Sequence, residues 1–490
     1  MDLKIHTLKL WPRLLIAALA GASMSLCFAP TAIPIAPFVL TVLILQLQGV
    51  SVKHASYIGF CFGMLFFGVS LRWLGSMFGT PAITLWALSA LFPMAACAAF
   101  VYISSYLRRL SWARILIFPI CWTGTEYFRS ERMLPDFTWM GLGYSTTGYP
   151  IFSAVASTIG CYGVTLCICM FAALLAAAAQ RALITRDMPA RAQALFGIAG
   201  LFTLWFGACT TLGQGQDKHW QPVEGIHVRL VQAPSEQDSD YLQLSREKTG
   251  FVPQVIVWPE DSFVSDPHTT LKLWPKLQGL ASELNCWLLF GARDVTDASD
   301  PNGFKKAAYL LNPQGDLVGK HFKNHLVHFF REGIAGTEAH AIQTPFARIG
   351  IAICFDMDFP DVARREVAEG AELLLCPSDN PAEWGALQHV QHRQLFQMRA
   401  AECGRWVAMA DTAGGTFLVD PTGKIQSALP AGLDIGKLDV IVPKISGKTL
   451  FVMGGWRTGQ VALALLVILI LFAVHASKRE AASASEQIVD

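Results

Sequence analysis

RIGIAICFD, residues 348–356, sets an apolar, β-like run directly against a cysteine, Cys354, and then an acid. Two other runs end in the same manner: VIVWPED (255–261) closes on Glu260, and GKHFKNHLVHF (319–329) carries Lys323. A thiol, a carboxylate and an amine, each at the end of a strand-like run, are the groups that covalent acyl transfer through a thioester needs. The thiol attacks a carbonyl, the carboxylate moves protons and the ammonium holds the oxyanion. Taken singly, each has a plainer reading: a strand-end surface acid, a surface lysine, a core cysteine. Three such residues in three motifs of one segment favour chemistry.

That segment lies between strongly apolar flanks. The chain has 490 residues, of which 53% are hydrophobic and 15% charged, whereas soluble domains carry about 25% charged residues. Charges are few before Gly213, but from about Lys218 to Lys448 the composition is that of a globular domain. A net charge of +1 argues against a nucleic-acid partner. Hydropathy marks eight candidate spans, at 14–28, 33–47, 55–74, 83–107, 115–128, 151–179, 194–212 and 460–474. The first has the basic start of a signal peptide, but six more spans follow it before the polar segment, so it reads as a retained helix.

Basic residues orient these spans. Lys4, Lys9, Arg13, Lys53, Arg108, Arg109, Arg114, Arg181, Arg186, Arg191, Lys478 and Arg479 all fall on one side if the N-terminus is cytoplasmic. Arg129 and Arg132 fall on the other. The organisation expected is a membrane domain over 1–213 with about seven helices and an exported catalytic domain over 218–448. A C-terminal transmembrane helix over 457–476 and a cytoplasmic tail over 477–490 would complete it.

The 12 cysteines show no CxxC spacing, and eight of them fall in apolar segments. His389 and His392 are three apart on a helix-like stretch without an evident third ligand, and read as a solvated face. Neither a metal nor a cofactor is expected. Within 218–448, HVRLVQA, QVIVWPE, CWLLFGA, AAYLLNPQGDLVGK, RIGIAICFD, ELLLCPSD, WVAMADT and GTFLVDPTGKI read as strands or hairpins. LKLWPKLQGLASELN, DVARREVAEGA and WGALQHVQHRQLFQMRAAECG read as helices. The fold class expected is a multi-span α-helical membrane domain plus an α/β sandwich with two mostly buried sheets.

Together VIVWPED, FKNHLV and IAICFD resemble the carbon–nitrogen hydrolase (nitrilase) superfamily, which uses a Glu–Lys–Cys triad on an αββα sandwich. With its membrane flanks the whole chain is similar to the apolipoprotein N-acyltransferase family. FTWMGLGYS (137–145), IGCYGVT (159–165) and QMRAAECGRWV (397–407) resemble that family's membrane loop, next helix and helix–strand junction. The resemblance implies Glu260, Lys323 and Cys354 as catalytic groups, with Lys323 favouring the Cys354 thiolate and the Phe355 N–H as an oxyanion donor. It implies a phospholipid acyl donor and, as acceptor, the α-amine of a diacylglyceryl-cysteine, used in ping-pong order. It further implies a monomer in the bacterial inner membrane with a periplasmic catalytic domain. Trp139, Tyr144 and Trp384 would form a greasy mouth that admits acyl chains. The alternative is a membrane-bound nitrilase-like amidase, or an acyltransferase for another amine.

Departures from the family are concentrated in loops. Its HLVPFGE appears here as HLVHFFRE (325–332), so Arg331 stands where a second glutamate is usual and Glu332 comes one residue late. Either the loop shifts to bring Glu332 into a supporting role, or Arg331 lines an acceptor pocket. Phe355 and Asp356 replace the usual Tyr-Glu after the nucleophile, and NDAWFG appears as Asp379-Asn380-Pro381-Ala382-Glu383-Trp384-Gly385.

Overall fold

Every stretch that hydropathy marks as apolar is helical. In the computed structural model the helices are Leu10–Met24, Ala36–Gln46, Val52–Ser70, Ala82–Tyr106, Ala113–Glu131, Pro150–Ile184, Met188–Thr211 and Thr458–Val489. The structure describes residues 9–107, 113–134, 136–185, 187–211, 224–236, 238–296, 299–300, 302–430 and 435–489. Lys4, Arg108, Arg109, Arg186, Gly213 and Lys218, used above for topology and boundaries, lie outside the described residues.

Among the described residues, five helical stretches are long and apolar enough to cross a membrane: Leu10–Cys27, Val52–Ser70, Ala82–Tyr106, Pro150–Ile184 and Gly455–Ala481. Three expected spans are helical but outside that set. Ala36–Gln46 has 11 residues, a rise of roughly 16 Å against a hydrocarbon core of about 30 Å. Ala113–Glu131 carries Glu126, Arg129 and Glu131, and the third is Met188–Thr211. The Pro150–Ile184 stretch is interrupted at Gly160, whose φ of 74° and ψ of −177° end one helix and start another.

The charges on Ala113–Glu131 are structural. The Arg129 guanidinium donates to the Trp139 carbonyl at 2.8 Å and lies over the Phe67 ring at 5.2 Å. Glu126 accepts from the Leu142 N–H at 2.9 Å and the Thr165 hydroxyl at 2.7 Å. These bonds tie the 138–146 segment to its neighbouring helices. They explain why Arg129 departs from the charge rule: it is buried inside the unit.

The remainder is an α/β sandwich. Its strands are β1 (Ile226–Gln232), β2 (Val255–Val257), β3 (Trp287–Val295), β4 (Phe304–Leu311), β5 (Leu317–Phe322), β6 (Ile342–Gln343), β7 (Arg348–Ile351), β8 (Leu373–Ser378), β9 (Val407–Asp411), β10 (Phe417–Val419), β11 (Ile425–Ala428) and β12 (Gly436–Val442). They form two six-stranded sheets, ordered β12-β1-β2-β3-β4-β5 and β11-β10-β9-β8-β7-β6. Neighbours β1, β2 and β3 run parallel, as do β7, β8 and β9. Strands covered on both faces read as continuous apolar runs, and the side-chain period of two divides each run between two cores. Val255 and Val257 face the other sheet, where Ile349, Ile351, Leu373 and Leu375 meet them. Ile256, Leu288 and Phe290 face outward against helices Asp238–Arg246 and Leu273–Leu284. Leu374 and Cys376 do the same beneath Asp361–Ala368 and Gly385–Cys403.

Sequence reading missed β6, β12 and the helix Asp238–Arg246. β12 pairs with β1 along its whole length, from Ile226 opposite Val442 to Gln232 opposite Gly436. Its Asp439 interrupts the apolar pattern, and the structure matches it with Arg229 at 2.7 Å. The chain divides into two compact units: one of residues 1–146, 159–213 and 457–490, the other of residues 147–158 and 214–456.

Candidate active site

Glu260, Lys323, Cys354 and Asp379 all lie just beyond the carboxyl ends of strands, β2, β5, β7 and β8 respectively, where open α/β sheets leave room for ligands. The Glu260 loop is fixed from both sides. Trp258 N–H donates to Leu289 O at 2.8 Å, Gly291 N–H to Pro259 O at 3.1 Å, and Glu260 N–H to Ser378 O at 3.3 Å. A Cβ at Gly291 would collide with the Glu260 carbonyl, so only glycine lets the loop lie this close to β3.

Two ammonium groups meet two carboxylates in a buried square. Lys323 Nζ donates to Glu260 Oε1 at 2.8 Å and Glu332 Oε2 at 2.7 Å. Lys306 Nζ, from β4, donates to Glu260 Oε1 at 3.0 Å and Glu332 Oε1 at 2.9 Å, and pairs with Asp261 Oδ2 at 2.9 Å. Burial works against both lysine charges, but the surrounding carboxylates win and both ammoniums are held firmly protonated. Burial likewise opposes the Glu332 charge, yet Lys323, Lys306 and the Val327 N–H pull its carboxyl down to about 2. Both lysines bind one oxygen of Glu260, and Oε2 makes no hydrogen bond among the described residues.

The one-residue shift in HLVHFFRE is thereby resolved. Glu332 enters the site, and its Oε2 also accepts the Val327 N–H at 2.9 Å. Gly333, at φ 76°, turns the chain so that Lys305 bridges Gly333 and Ile334 N–H reaches Phe304 O at 2.8 Å. Arg331 is exposed. Glu332→Gln should therefore lower the rate of thiol acylation by about 10²-fold, because it leaves two buried ammoniums one charge short. Arg331→Ala should change it less than about threefold, the behaviour of an exposed side chain. Single-turnover acylation of both variants checks this.

Cys354 opens a tight 3₁₀ turn, Cys354–Asp358, with φ at 45°. A left-handed non-glycine residue costs about 1–3 kcal/mol and is maintained where surroundings over-determine it. Its thiol faces the Asp379 carbonyl, Sγ to O 3.8 Å. Burial, then the charge of Glu260, pushes the thiol up, and Lys323 does not reverse this. The expectation that the ammonium favours a thiolate is thus corrected: burial and Glu260 keep the Cys354 thiol neutral. Phe355, half-buried, follows it and meets Phe359 edge-on at 5.3 Å.

Asp356 is a clamp. Its Oδ2 accepts the Ile353 N–H at 3.0 Å, and its Oδ1 accepts those of Asn324 and His325 at 2.9 and 2.8 Å. One carboxylate thus locks the cysteine turn to the lysine loop. The expected solvated face at His389 and His392 is also corrected, since both are buried. His392 bridges Asp358 Oδ1 at 2.9 Å and Asn380 Oδ1 at 2.8 Å, and His389 Nε2 lies 3.1 Å from Pro381 O. The absence of a flanking apolar partner hid this, because a buried polar network has no hydrophobic period.

Trp384 stacks on Phe330, centroids 5.6 Å apart, and Phe329 and Phe330 are exposed. Trp139 and Tyr144 are buried within the helical unit, Trp139 against Trp73 at 5.0 Å and parallel to Phe137 at 6.1 Å. Sequence reasoning missed Lys306 and Asp261. A lysine inside the apolar run FKKAAYLL was the available signal for the first.

Comparison with known proteins matches residues 20–174 to the apolipoprotein N-acyltransferase N-terminal domain and residues 240–448 to carbon-nitrogen hydrolase. The apolipoprotein N-acyltransferase of Shewanella oneidensis is 28% identical over 93% of this chain and 93% of its own. That of Ralstonia nicotianae is 27% identical over 96% and 94%, and that of Geobacter metallireducens 26% over 85% and 87%. Among solved structures, a mutant amidase from Nesterenkonia sp. AN1 bearing the Michael adduct of acrylamide at its active-site cysteine is 21% identical, with a TM-score of 0.38 over 44% of this chain and 93% of that one. Another structure of an amidase from Nesterenkonia sp. gives 20% and 0.39 over 45% and 90%. With both halves matched and these relatives aligned over most of its length, the chain belongs to the apolipoprotein N-acyltransferase family.

Proposed function

We propose that this protein moves a fatty acyl chain from a phospholipid, through a thioester on Cys354, to the α-amine of a lipoprotein's N-terminal diacylglyceryl-cysteine. The observation that carries the reading is the convergence of Glu260, Lys323 and Cys354 at strand ends in a chain that also has membrane-crossing helices. In the first half-reaction Glu260 Oε2 takes the thiol proton as Sγ attacks the ester carbonyl. Lys323 and the Phe355 N–H stabilise the oxyanion. Glu260 then returns the proton to the departing alkoxide, and lysophospholipid leaves. In the second, the acceptor amine attacks the thioester, an amide forms and the thiol is regenerated. In this reading Trp139, Tyr144 and Trp384, the last stacked on Phe330, are the aromatic residues that admit acyl chains.

Purified protein in mixed micelles should convert phospholipid and a diacylglyceryl-cysteine peptide into lysophospholipid and an N-acylated peptide. Release of free fatty acid without N-acylated peptide would refute the reading and favour the amidase. The protein resides in the bacterial inner membrane as a monomer, with the catalytic domain on the periplasmic face, which the one-sided basic loops support. A phosphatase fusion at Gly225 should accordingly be active and one at Thr185 inactive. The opposite pattern would refute this orientation.

A further inference from the structure

We propose that Asp379 receives the acceptor's α-ammonium and takes its first proton, so that the amine meets the Cys354 thioester as a nucleophile. This rests on the transfer reading above and names the group that prepares the second substrate. Asp379 lies between the two arms of the site. Ser378 O accepts the Glu260 N–H at 3.3 Å, and the Asp379 carbonyl is 3.8 Å from Cys354 Sγ. Its carboxyl is held by one oxygen only: Oδ1 accepts the Thr412 hydroxyl at 2.6 Å, and Oδ2 makes no hydrogen bond among the described residues. The residue as a whole is half-buried.

Its backbone carbonyl meets the Cys354 thiol, and the groups acting on its carboxyl are Glu260, Asp261, Lys306 and the Thr412 hydroxyl, with Tyr241 nearby and Asp411 on the adjacent strand. Asp411 is already engaged by Asn380, whose N–H and side-chain amide both donate to it at 2.9 Å. Glu260, Asp261 and Glu332 exceed Lys306 and Lys323 by one negative charge, so the site draws in a cation. Burial, then Glu260 and Asp261, raises the Asp379 carboxyl to about 7. α-Amino groups titrate at about 7.7–8.0, so this carboxylate is matched to accept their proton where an ordinary one near 4 is too weak a base. Glu260, bound by two ammoniums, is unsuited to hold a third.

The protons balance. The ammonium gives one proton to Asp379, which passes it to solvent. As nitrogen attacks the thioester carbon, Glu260 takes a second; the C–S bond breaks, and that proton returns to the Cys354 sulfur.

The test loads Cys354 from labelled phospholipid, then adds diacylglyceryl-cysteine peptide at pH values from about 5 to 9. Transfer by the parent should rise through about pH 7 and level off. In Asp379→Asn, transfer at pH 7 should fall by about fivefold, because only about a tenth of the amine is then unprotonated on its own. Its rise should move to about pH 8, where the amine deprotonates unaided. Asp379→Glu should restore part of the rate at pH 7. An unchanged rise in Asp379→Asn, or an equal loss of loading and transfer, would overturn the proposal. A parent that never loads, or loads without transferring, would instead overturn the function on which it rests, and the proposal with it.

Discussion

Cys354→Ser should leave a folded protein that never carries a hydroxylamine-sensitive acyl group, with transfer down by roughly 10⁶-fold, the scale of removing a nucleophile. Serine has nearly the size of cysteine, and the side chain is buried at a position already constrained by the turn. Neither a cavity nor an overpacked contact therefore arises, and thermal stability should stay close to the parent's. The chemistry does not survive. Even the thiol is held neutral here by burial and Glu260, and an alcohol is a far weaker acid. Acyl-adduct mass and thermal denaturation of the same preparation separate the two effects. A persisting hydroxylamine-sensitive adduct would place the nucleophile elsewhere.

Lys323→Met should slow acylation by about 10²-fold or more, the scale of losing one oxyanion donor, and should destabilise the fold. Lys323 is buried and shared between Glu260 and Glu332. Its loss leaves Lys306 alone against three carboxylates, and breaking such a pair costs about 3–5 kcal/mol. The effect has a pH direction. Glu332 sits at about 2 in the folded protein against about 4.3 in an unfolded chain. Its contribution is therefore complete above about pH 5 and is lost as pH falls through about 2. Lys323→Met should shrink that contribution and move acid unfolding to higher pH. Iodoacetamide labelling against pH and an acid-denaturation curve give the two readouts; unchanged curves would make Lys323 a bystander.

Much of this site was legible because the αββα sandwich writes its strands as apolar runs and places its chemistry at their ends. VIVWPED, FKNHLV and RIGIAICFD each stop being apolar where the side chain enters the site. Lys306 was not legible, because its cation is recognised only once three carboxylates from other segments close around it. Glu332 was open between two readings for the same reason: a turn at Gly333, rather than sequence register, decides which of two adjacent residues faces inward. Asp356 read only as a departure from the usual Tyr-Glu, and its backbone partners reveal a clamp. In the helical unit, hydropathy found the helices but not that Ala36–Gln46 has only 11 residues, nor the break at Gly160, since both are matters of length and backbone angle rather than polarity.

What discharges the adduct tests the account most directly. Purified enzyme is loaded from a phospholipid with an isotopically labelled acyl chain, and its intact mass is followed with and without a diacylglyceryl-cysteine peptide. The adduct should sit on Cys354, persist in buffer and disappear on addition of the peptide, with the label recovered as an amide on the peptide's N-terminus. An adduct that decays equally fast with and without peptide, with the label recovered as free fatty acid, would contradict the assignment and make the protein a hydrolase.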